Sequence, residues 1–274
     1  MVGARRRLHG SERYLRGAVM REVEFDHPTR GRFYSHANEE LPSVRANEFT
    51  ATAREIRLEG GEAILELGCG NGLLTGRLAD GVGERGAVHA VDVSRSVLLR
   101  LKKRVARANV IPALFDGQNL PFSERAFDAA VSLANFHHVE AQLATFREVH
   151  RVLRPGGRFV LVDVCSDTAV QRYFDGPVNS FCSTGHEHPF LGRDDCARLC
   201  AESGLRLERW HMQEVPWRFQ SCDEAQWFLH KIHDAQCTPW HCLAEAKRFL
   251  AFRREEDGHW LLEWQLFFLT AVKP

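Results

Sequence analysis

Short apolar runs alternate along the chain with segments whose apolar residues recur at helical spacing. Runs that are apolar at nearly every position are typical of strands covered on both faces. Such runs occupy residues 63–67, 87–92, 110–115, 127–133 and 158–164. Helical spacing is found between them over residues 72–82, 97–106 and 141–153. We interpret these segments as the strands and helices of an open α/β sheet.

The remaining pattern extends this arrangement toward both termini. Upstream, residues 22–42 look irregular, and a helix is predicted over 41–58 before Gly60 and Gly61 stop it. Downstream, we predict a helix over 193–203, strands over 205–215 and 264–272, and helical stretches around 222–235 and 241–254. We divide the chain into an N-terminal helical or lid segment, 1–60, and a domain, 61–274, with insertions at 165–192 and 217–258.

Composition narrows the classes of protein. The 274 residues are 44% hydrophobic and 26% charged, and Lys+Arg equals Asp+Glu at 36 each. This balance gives no sign of a nucleic-acid or membrane partner. No apolar run reaches the ~18–20 residues of a membrane span, and no secretory signal is recognisable. We expect a cytoplasmic protein whose eight cysteines are reduced.

The most informative stretch joins the first strand to the next helix through a glycine-rich turn. Gly68, Gly70 and Gly72 permit a sharp turn and a close approach of the backbone to a ligand. The free N–H groups of the following helix would suit an anionic group. The dinucleotide fingerprint G-x-G-x-x-G would need glycine at Leu73 or at Thr75, so it is absent, and no Gly-Lys-Ser/Thr follows.

An acid ends the second strand. Asp92 lies 20 residues after Gly72, close to the offset of about 20 at which an acid reaches a ribose diol. A carboxylate can accept both hydrogen bonds of a diol. The alternative role is to cap the next helix, although Ser94 can do this instead. We favour the ribose.

Four motifs in this order carry a family resemblance. They are E-L-G-C-G-N-G (66–72), D-G-Q-N-L-P-F (116–122), F-D (127–128) and L-R-P-G-G (153–157). Together they resemble the class I S-adenosylmethionine (SAM) methyltransferases, nearest the group that includes the ubiquinone/menaquinone C-methyltransferases and many small-molecule methyltransferases. The resemblance covers residues 63–163.

The resemblance implies a fold and an activity. The fold would be a Rossmann-like, mostly parallel sheet of seven strands with the last strand antiparallel, helices on both faces, and a helical cap formed by the insertions. The activity would be methyl transfer from SAM, leaving S-adenosylhomocysteine, to a small organic acceptor with an apolar or aromatic part.

The resemblance also implies the cofactor residues. Glu66 would lie near the methionine amino group and Asp116 near the adenine amine, although Asp-Gly is otherwise an ordinary turn. We read Cys69 as a small filler of the glycine turn and not as a nucleophile. The full predicted set is Glu66, Gly68, Cys69, Gly70, Asn71, Gly72, Asp92, Val93, Asp116, Gly117, Gln118, Leu133 and Ala134.

The segment after the fourth strand should face the transferable methyl. His137 and His138 are the candidate catalytic bases, needed only if the acceptor enters protonated. The same pair may equally cap a helix or pack against the cofactor. Asn135 could position the substrate, and Phe33 and Tyr34 are candidate substrate-binding or lid residues, with surface anchoring as the alternative.

Two clusters of histidine and cysteine lie in the insertions. One contains Cys182, His186 and His188, and the other contains His230, His233, Cys237, His241 and Cys242. Neither has a C-x-x-C or H-E-x-x-H pattern. We therefore predict no metal site and expect these side chains to line a pocket or to pack. The alternative is zinc binding by His230, His233 and Cys237, which helical spacing puts on one face.

Two other functions stay open. One is methylation of tRNA or of protein, against which the neutral charge and the lack of a basic-aromatic stripe argue. The other is SAM binding without catalysis. The acceptor atom and the oligomeric state are not determined by these patterns.

Overall fold

A computed structural model describes residues 30–274. Of the predicted N-terminal segment, residues 1–29 lie outside the described part of the chain.

Seven strands form the central sheet. They are β1 (Ala63–Leu67), β2 (Ala87–Asp92), β3 (Val110–Leu114), β4 (Phe127–Leu133), β5 (Leu153–Asp163), β6 (Arg206–Glu214) and β10 (Gln265–Val272). Their order across the sheet is β3-β2-β1-β4-β5-β10-β6. The pairs from β3 to β5 are parallel, whereas β10 is antiparallel to both of its neighbours. The predicted seven-stranded, mostly parallel sheet with an antiparallel last strand is confirmed.

Helices cover both faces of this sheet. Their bounds are α1 (Arg30–Glu40), α2 (Ala46–Ile56), α3 (Leu73–Val82), α4 (Arg95–Arg104), α5 (Gln142–Val152), α6 (Ala169–Tyr173), α7 (Asn179–Phe181), α8 (Arg193–Ser203), α9 (Cys222–Ile232) and α10 (Pro239–Ala246). Successive strand residues point to opposite faces. Ile64 accordingly packs in one core with residues of α2 and α3, and Leu65 packs in another with residues of α5 and α8. Both residues are fully buried, so the sheet is the middle layer of three.

The insertions cap the carboxyl ends of the parallel strands. The first contains α6, a π-helix (Phe174–Val178) and α7. The second contains α9 and α10, with β7 (Trp217–Phe219), β8 (Phe252–Arg254) and β9 (Trp260–Leu262) beside them. These three strands form a small antiparallel sheet in the order β7-β9-β8. A partly helical cap is confirmed, but the sheet was not predicted, and the predicted helix over 241–254 ends at Ala246.

The prediction of irregular structure over 22–42 is wrong for residues 30–40, which form α1. Its apolar positions have no helical period, so nothing in the local pattern marked it. Ala37 is fully buried, and α1 packs against α9. Tertiary packing therefore stabilises a helix that the local pattern does not predict.

The pairing of β5 with β4 is interrupted by a bulge that contains Gly156 and Gly157. Leu153 already pairs with Phe127, and the next partners are Ala129 and Arg158. The residues between them on β5 loop outward, and Gly156 has a φ of 77°. The strand thus begins at Leu153, five positions before the predicted start at Arg158.

Candidate active site

The glycine turn is packed from two sides. A Cβ on Gly68 would overlap the amide of Asn135, and one on Gly72 would overlap Leu101 of α4. Both glycines also have φ above 60°, which favours glycine. The N–H groups of Gly68 and Cys69 donate to the carbonyl of Val91 at 2.9 and 3.0 Å. The turn is therefore held against the end of β2 and the segment after β4.

Asp92 connects the turn to the next helix. One carboxylate oxygen accepts from the N–H of Gly70 at 3.1 Å, and the other accepts from the N–H of Ser94 at 3.0 Å. Ser94 is the N-cap of α4, because its hydroxyl accepts from the N–H of Val97. The capping role considered for Asp92 thus belongs to Ser94, while Asp92 supports the glycine turn.

Glu66 brings a buried carboxyl to the turn. Its side chain is only 2% exposed, and the hydroxyl of Thr75 donates to it at 2.6 Å. Burial raises the pKa of Glu66 to about 8, and the nearby charge of Asp92 adds to the effect. The carboxyl is therefore mostly protonated at neutral pH, and a cation bound beside it would favour its charged form.

A buried arginine faces the same cavity. Arg45 donates through Nε and Nη2 to Glu48 at 3.0 and 2.6 Å, and through Nη1 to the hydroxyl of Tyr34 at 2.8 Å. Glu48 also accepts from the indole N–H of Trp217. Guanidinium has five N–H donors, so these three contacts leave donors for a ligand carboxylate. The sequence analysis missed Arg45, since an arginine three positions before a glutamate resembles an ordinary surface pair.

The cavity beside the turn joins several predicted residues. It is lined by Tyr34, Arg45, Phe49, Glu66, Gly68, Cys69, Gly70, Asn71, Leu73, Leu74 and Leu133. The Nδ2 atom of Asn71 is buried here and has no hydrogen-bond partner among the described residues. An unsatisfied buried donor beside a carboxyl and a guanidinium fits the amino and carboxylate groups of an amino-acid ligand.

The filler interpretation of Cys69 agrees with its surroundings. The side chain is 5% exposed, and burial raises the pKa of its thiol well above the usual range. The thiol is therefore protonated at neutral pH, and a protonated thiol is a poor nucleophile.

The predicted adenine segment follows β3. One oxygen of Asp116 accepts from the N–H groups of Gln118 and Asn119 at 2.8 and 2.7 Å. Gly117 has a φ of 84°. Asp116 is exposed and closes its own turn, at the same edge of the sheet as Asp92.

The segment after β4 approaches the turn and then rises into the cap. Leu133 lines the cavity, and Ala134 bridges to β5 by donating to the carbonyl of Val162 at 2.8 Å. Val93 packs on the core face that contains Leu65. Asn135 lies on Gly68, so this predicted substrate residue packs against the glycine turn.

The two aromatic residues predicted to bind the substrate line different cavities. Tyr34 lines the cavity of the glycine turn. Phe33 instead lines a second cavity of about 400 Å³ with His230, Lys231 and Asp234. The ammonium of Lys231 lies 4.7 Å from the centre of the Phe33 ring, an arrangement typical of a cation–π contact.

His137 is anchored by an acid. Its Nδ1 lies 2.7 Å from a carboxylate oxygen of Asp163, and its backbone N–H donates to the other oxygen at 3.1 Å. Burial alone would raise the pKa of Asp163, but His137 and the N–H donors outweigh it, so that pKa is lowered. Asp163 ends β5, as Asp92 ends β2. Asp163 was not predicted as a site residue, although its position at the end of a buried strand could have marked it.

Tertiary structure gathers histidines that lie far apart in sequence. The rings of His137 and His138 are 4.1 Å apart, and those of His138 and His188 are 4.3 Å apart. The His186 ring lies 5.4 Å from that of His137. One ring nitrogen from each of His137, His138 and His186 lies within 4.8 Å of the others.

The second histidine and cysteine group does not come together in this way. His233 is buried and packs on the ring of Tyr173 at 5.6 Å, and His241 is exposed. The sulfur atoms of Cys237 and Cys242 are 3.3 Å apart. Within residues 30–274, only the group of His137, His138 and His186 has three such donors in reach of one ion.

No helix in residues 30–274 combines the length and the apolar character that crossing a bilayer requires.

Known proteins resemble this chain in sequence and fold. A family model described as "Methyltransferase domain" matches residues 64–157. The 2-phytyl-1,4-naphtoquinone methyltransferase of Nostoc punctiforme is 37% identical over 109 residues, which are 38% of this chain and 47% of that protein. The biotin biosynthesis bifunctional protein BioHC of Teredinibacter turnerae is 29% identical over 237 residues, 78% of this chain and 40% of that protein.

The matches to these two relatives therefore span less than half of their length. Among solved structures, geranyl diphosphate C-methyltransferase from Streptomyces coelicolor A3(2), in complex with Mg²⁺, geranyl diphosphate and S-adenosyl-L-homocysteine, has a TM-score of 0.59. It is 14% identical, and the alignment covers 93% of this chain and 89% of that one. The family model over residues 64–157 and the order of the seven strands together support a methyltransferase fold of class I for this chain.

Proposed function

We propose that the protein is a SAM-dependent methyltransferase that acts on a small organic acceptor. The observation that carries the proposal is the cavity of the glycine turn, where the Glu66 carboxyl and the Arg45 guanidinium meet in one space. An α-amino acid presents one ammonium and one carboxylate, which these two groups complement. The adenosyl part of SAM would extend toward Asp92 and the turn that begins at Asp116.

Bound SAM supplies a methyl group on a sulfonium, a good leaving group. The protein then has to hold the acceptor in line with that methyl. Asn135, which lies on Gly68, is placed to orient the acceptor. The His137 imidazole, fixed by Asp163, is placed to accept a proton from an acceptor that enters protonated. Relatives named for naphthoquinone and menaquinone methylation support a small acceptor.

The test is SAM binding by isothermal titration calorimetry, with Glu66→Gln as the variant. The amide keeps the shape of the side chain but loses the negative charge that faces the ligand ammonium. We expect binding about 10-fold weaker or more, the effect of losing a charge-assisted hydrogen bond. Glu59→Gln makes the same chemical change at an exposed position and should leave affinity unchanged. Equal affinity of the Glu66→Gln variant and the wild type would contradict the placement of the methionine end.

Catalysis is tested separately with labelled SAM and fractionated cell extract. Label in a small molecule supports the proposal, whereas label in tRNA or protein supports the first alternative. Tight SAM binding without turnover in any fraction would indicate a SAM-binding protein.

A further inference from the structure

The four gathered histidines, His137, His138, His186 and His188, form a cluster between β4 and the cap. His137 and His138 lie in a 3-10 helix (Phe136–His138), and the other two belong to the first insertion. This helix follows directly after Asn135, which lies on Gly68, so His138 is at most about 10 Å along the chain from a residue that touches the glycine turn. His137 and His138, predicted as candidate bases, thus lie beside His186 and His188, which were predicted to line a pocket or to pack.

We propose that His137, His138 and His186 bind a divalent first-row transition-metal ion of the zinc type. Three imidazoles are a ligand set that suits zinc, iron, nickel or copper better than magnesium or calcium. In a tetrahedral site with Zn–N bonds of about 2.0–2.1 Å, two ligand nitrogens lie about 3.3 Å apart. The three nitrogens already lie within 4.8 Å of one another, so shifts of under about 1 Å would complete the set.

Asp163 supports this assignment through the geometry of His137. Its carboxylate engages Nδ1 of the ring, which leaves Nε2 as the ligand atom. A carboxylate that holds the far nitrogen of a metal-binding histidine is a recurrent arrangement, because it sets the tautomer and the ring orientation. Asp163 is itself held by the N–H groups of His137 and Val164, at 3.1 and 2.8 Å. The ring is thereby oriented before any ion arrives.

The surroundings of the cluster exclude water from two sides. His186 is 3% exposed and stacks on Phe190, with ring centres 5.7 Å apart. Phe174 lies 4.5 Å from the His186 ring on another side. His188 is partly exposed and lies 4.9 Å from His186, so it borders the open side.

Three protein ligands and one open position are typical of a catalytic zinc site. The open position would bind an oxygen of the acceptor and lower the pKa of that group, which would help methyl transfer to oxygen. With an ion bound, Nε2 of His137 is a ligand and cannot accept a proton, so this role would replace the general base described above. This role rests on the proposed methyltransferase activity, whereas the metal site does not. The metal site is therefore tested without SAM or acceptor.

The experiment uses the full chain, stripped with a chelator and titrated with Co²⁺ as a spectroscopic probe. We expect one Co²⁺ per chain, visible d–d absorption, and no sulfur-to-cobalt charge-transfer band. His186→Ala and His138→Gln should each weaken binding about 100-fold or more, and Asp163→Asn about 10- to 100-fold. His138 is only half-buried, so its variant tests the site even if His186→Ala fails to fold.

Two control variants separate the cluster from other donors. His241→Ala removes an exposed histidine, and Cys237→Ser removes one of the two neighbouring thiols. Both should bind Co²⁺ like the wild type. The proposal is overturned by a wild type that does not bind Co²⁺ or Zn²⁺, by unchanged binding in the two cluster variants, or by loss of binding in Cys237→Ser.

Discussion

Glu66 could be placed at the glycine turn from the sequence motif alone. Its raised pKa, in contrast, follows from its burial in the folded protein. The strand that contains it is apolar, so a carboxyl there stands out in sequence. Its partner across the cavity, Arg45, has no such signal, because it enters the site through the packing of the residues around α2. A position within a motif can therefore be predicted, whereas a residue recruited from a distant element cannot.

The raised pKa of Glu66 predicts how stability varies with pH. The pKa is about 8 in the folded protein, against an ordinary value of 4.5. Between these values the folded state holds a proton that the unfolded state releases, so the free energy of unfolding should fall as pH rises. The slope from this group is at most about 1.4 kcal/mol per pH unit.

Urea unfolding of the unliganded protein at pH 5.5 and at pH 7.5 measures this slope. Glu66→Gln does not titrate, so the variant should gain stability relative to the wild type as pH rises across that interval. A constant difference between the two proteins would show that Glu66 keeps an ordinary pKa.

Two polar residues before helix α4, Asp92 and Ser94, have different structural roles. Ser94 caps the helix, and Asp92 holds the glycine turn through Gly70. From sequence, Asp92 was assigned to the ribose with the helix cap as the alternative, because an acid and a serine two positions apart can each cap a helix. Only the hydrogen bonds assign the cap to Ser94.

Alanine variants of these two residues should therefore differ in kind. Ser94→Ala should cost about 1 kcal/mol of stability, the usual effect of losing an N-cap, with little change in SAM affinity. Asp92→Ala should weaken SAM binding about 10- to 100-fold, because charge-assisted hydrogen bonds to the ribose are lost. Thermal unfolding and calorimetric titration of both variants check this, and an Asp92→Ala variant with unchanged affinity would contradict the cofactor assignment.

Helix α4 was predicted from its local sequence pattern, whereas helix α1 was not. Its sequence contains Gly31 and two aromatic residues without helical period, so the prediction of irregular structure was reasonable and wrong over residues 30–40. The helix forms because α9 offers it a surface. Since α9 belongs to an insertion almost 200 residues away, no local window contains that information.

The molecule as a whole combines a neutral chain with a capped sheet. Its 36 basic and 36 acidic residues balance, which is unusual for a protein that must hold a nucleic-acid backbone. The cap and the histidine cluster cover the carboxyl ends of the strands, where ligands of open α/β sheets bind.

This neutrality predicts a weak dependence of methyl transfer on salt. A protein that contacts 6–10 phosphates loses about 10³–10⁵ in affinity between 50 and 200 mM salt. We expect kcat/KM for a small acceptor to change less than about threefold over the same range. The measurement is label transfer from SAM at both salt concentrations, and a steep loss of activity would favour a tRNA substrate.

The apolar runs predicted an open α/β sheet, because strand burial leaves a periodic and compositional signal. The seven strands with an antiparallel last one were predicted from the resemblance of the four motifs to a known family. The approach of Glu66 and Arg45 to one cavity and that of His186 to His138 left no such signal. The sequence shows Asp163 as an acid at a strand end, but not its contact with His137. These contacts arise where segments far apart in sequence pack together, and the distances between their side chains depend on the three-dimensional arrangement of the sheet and its cap.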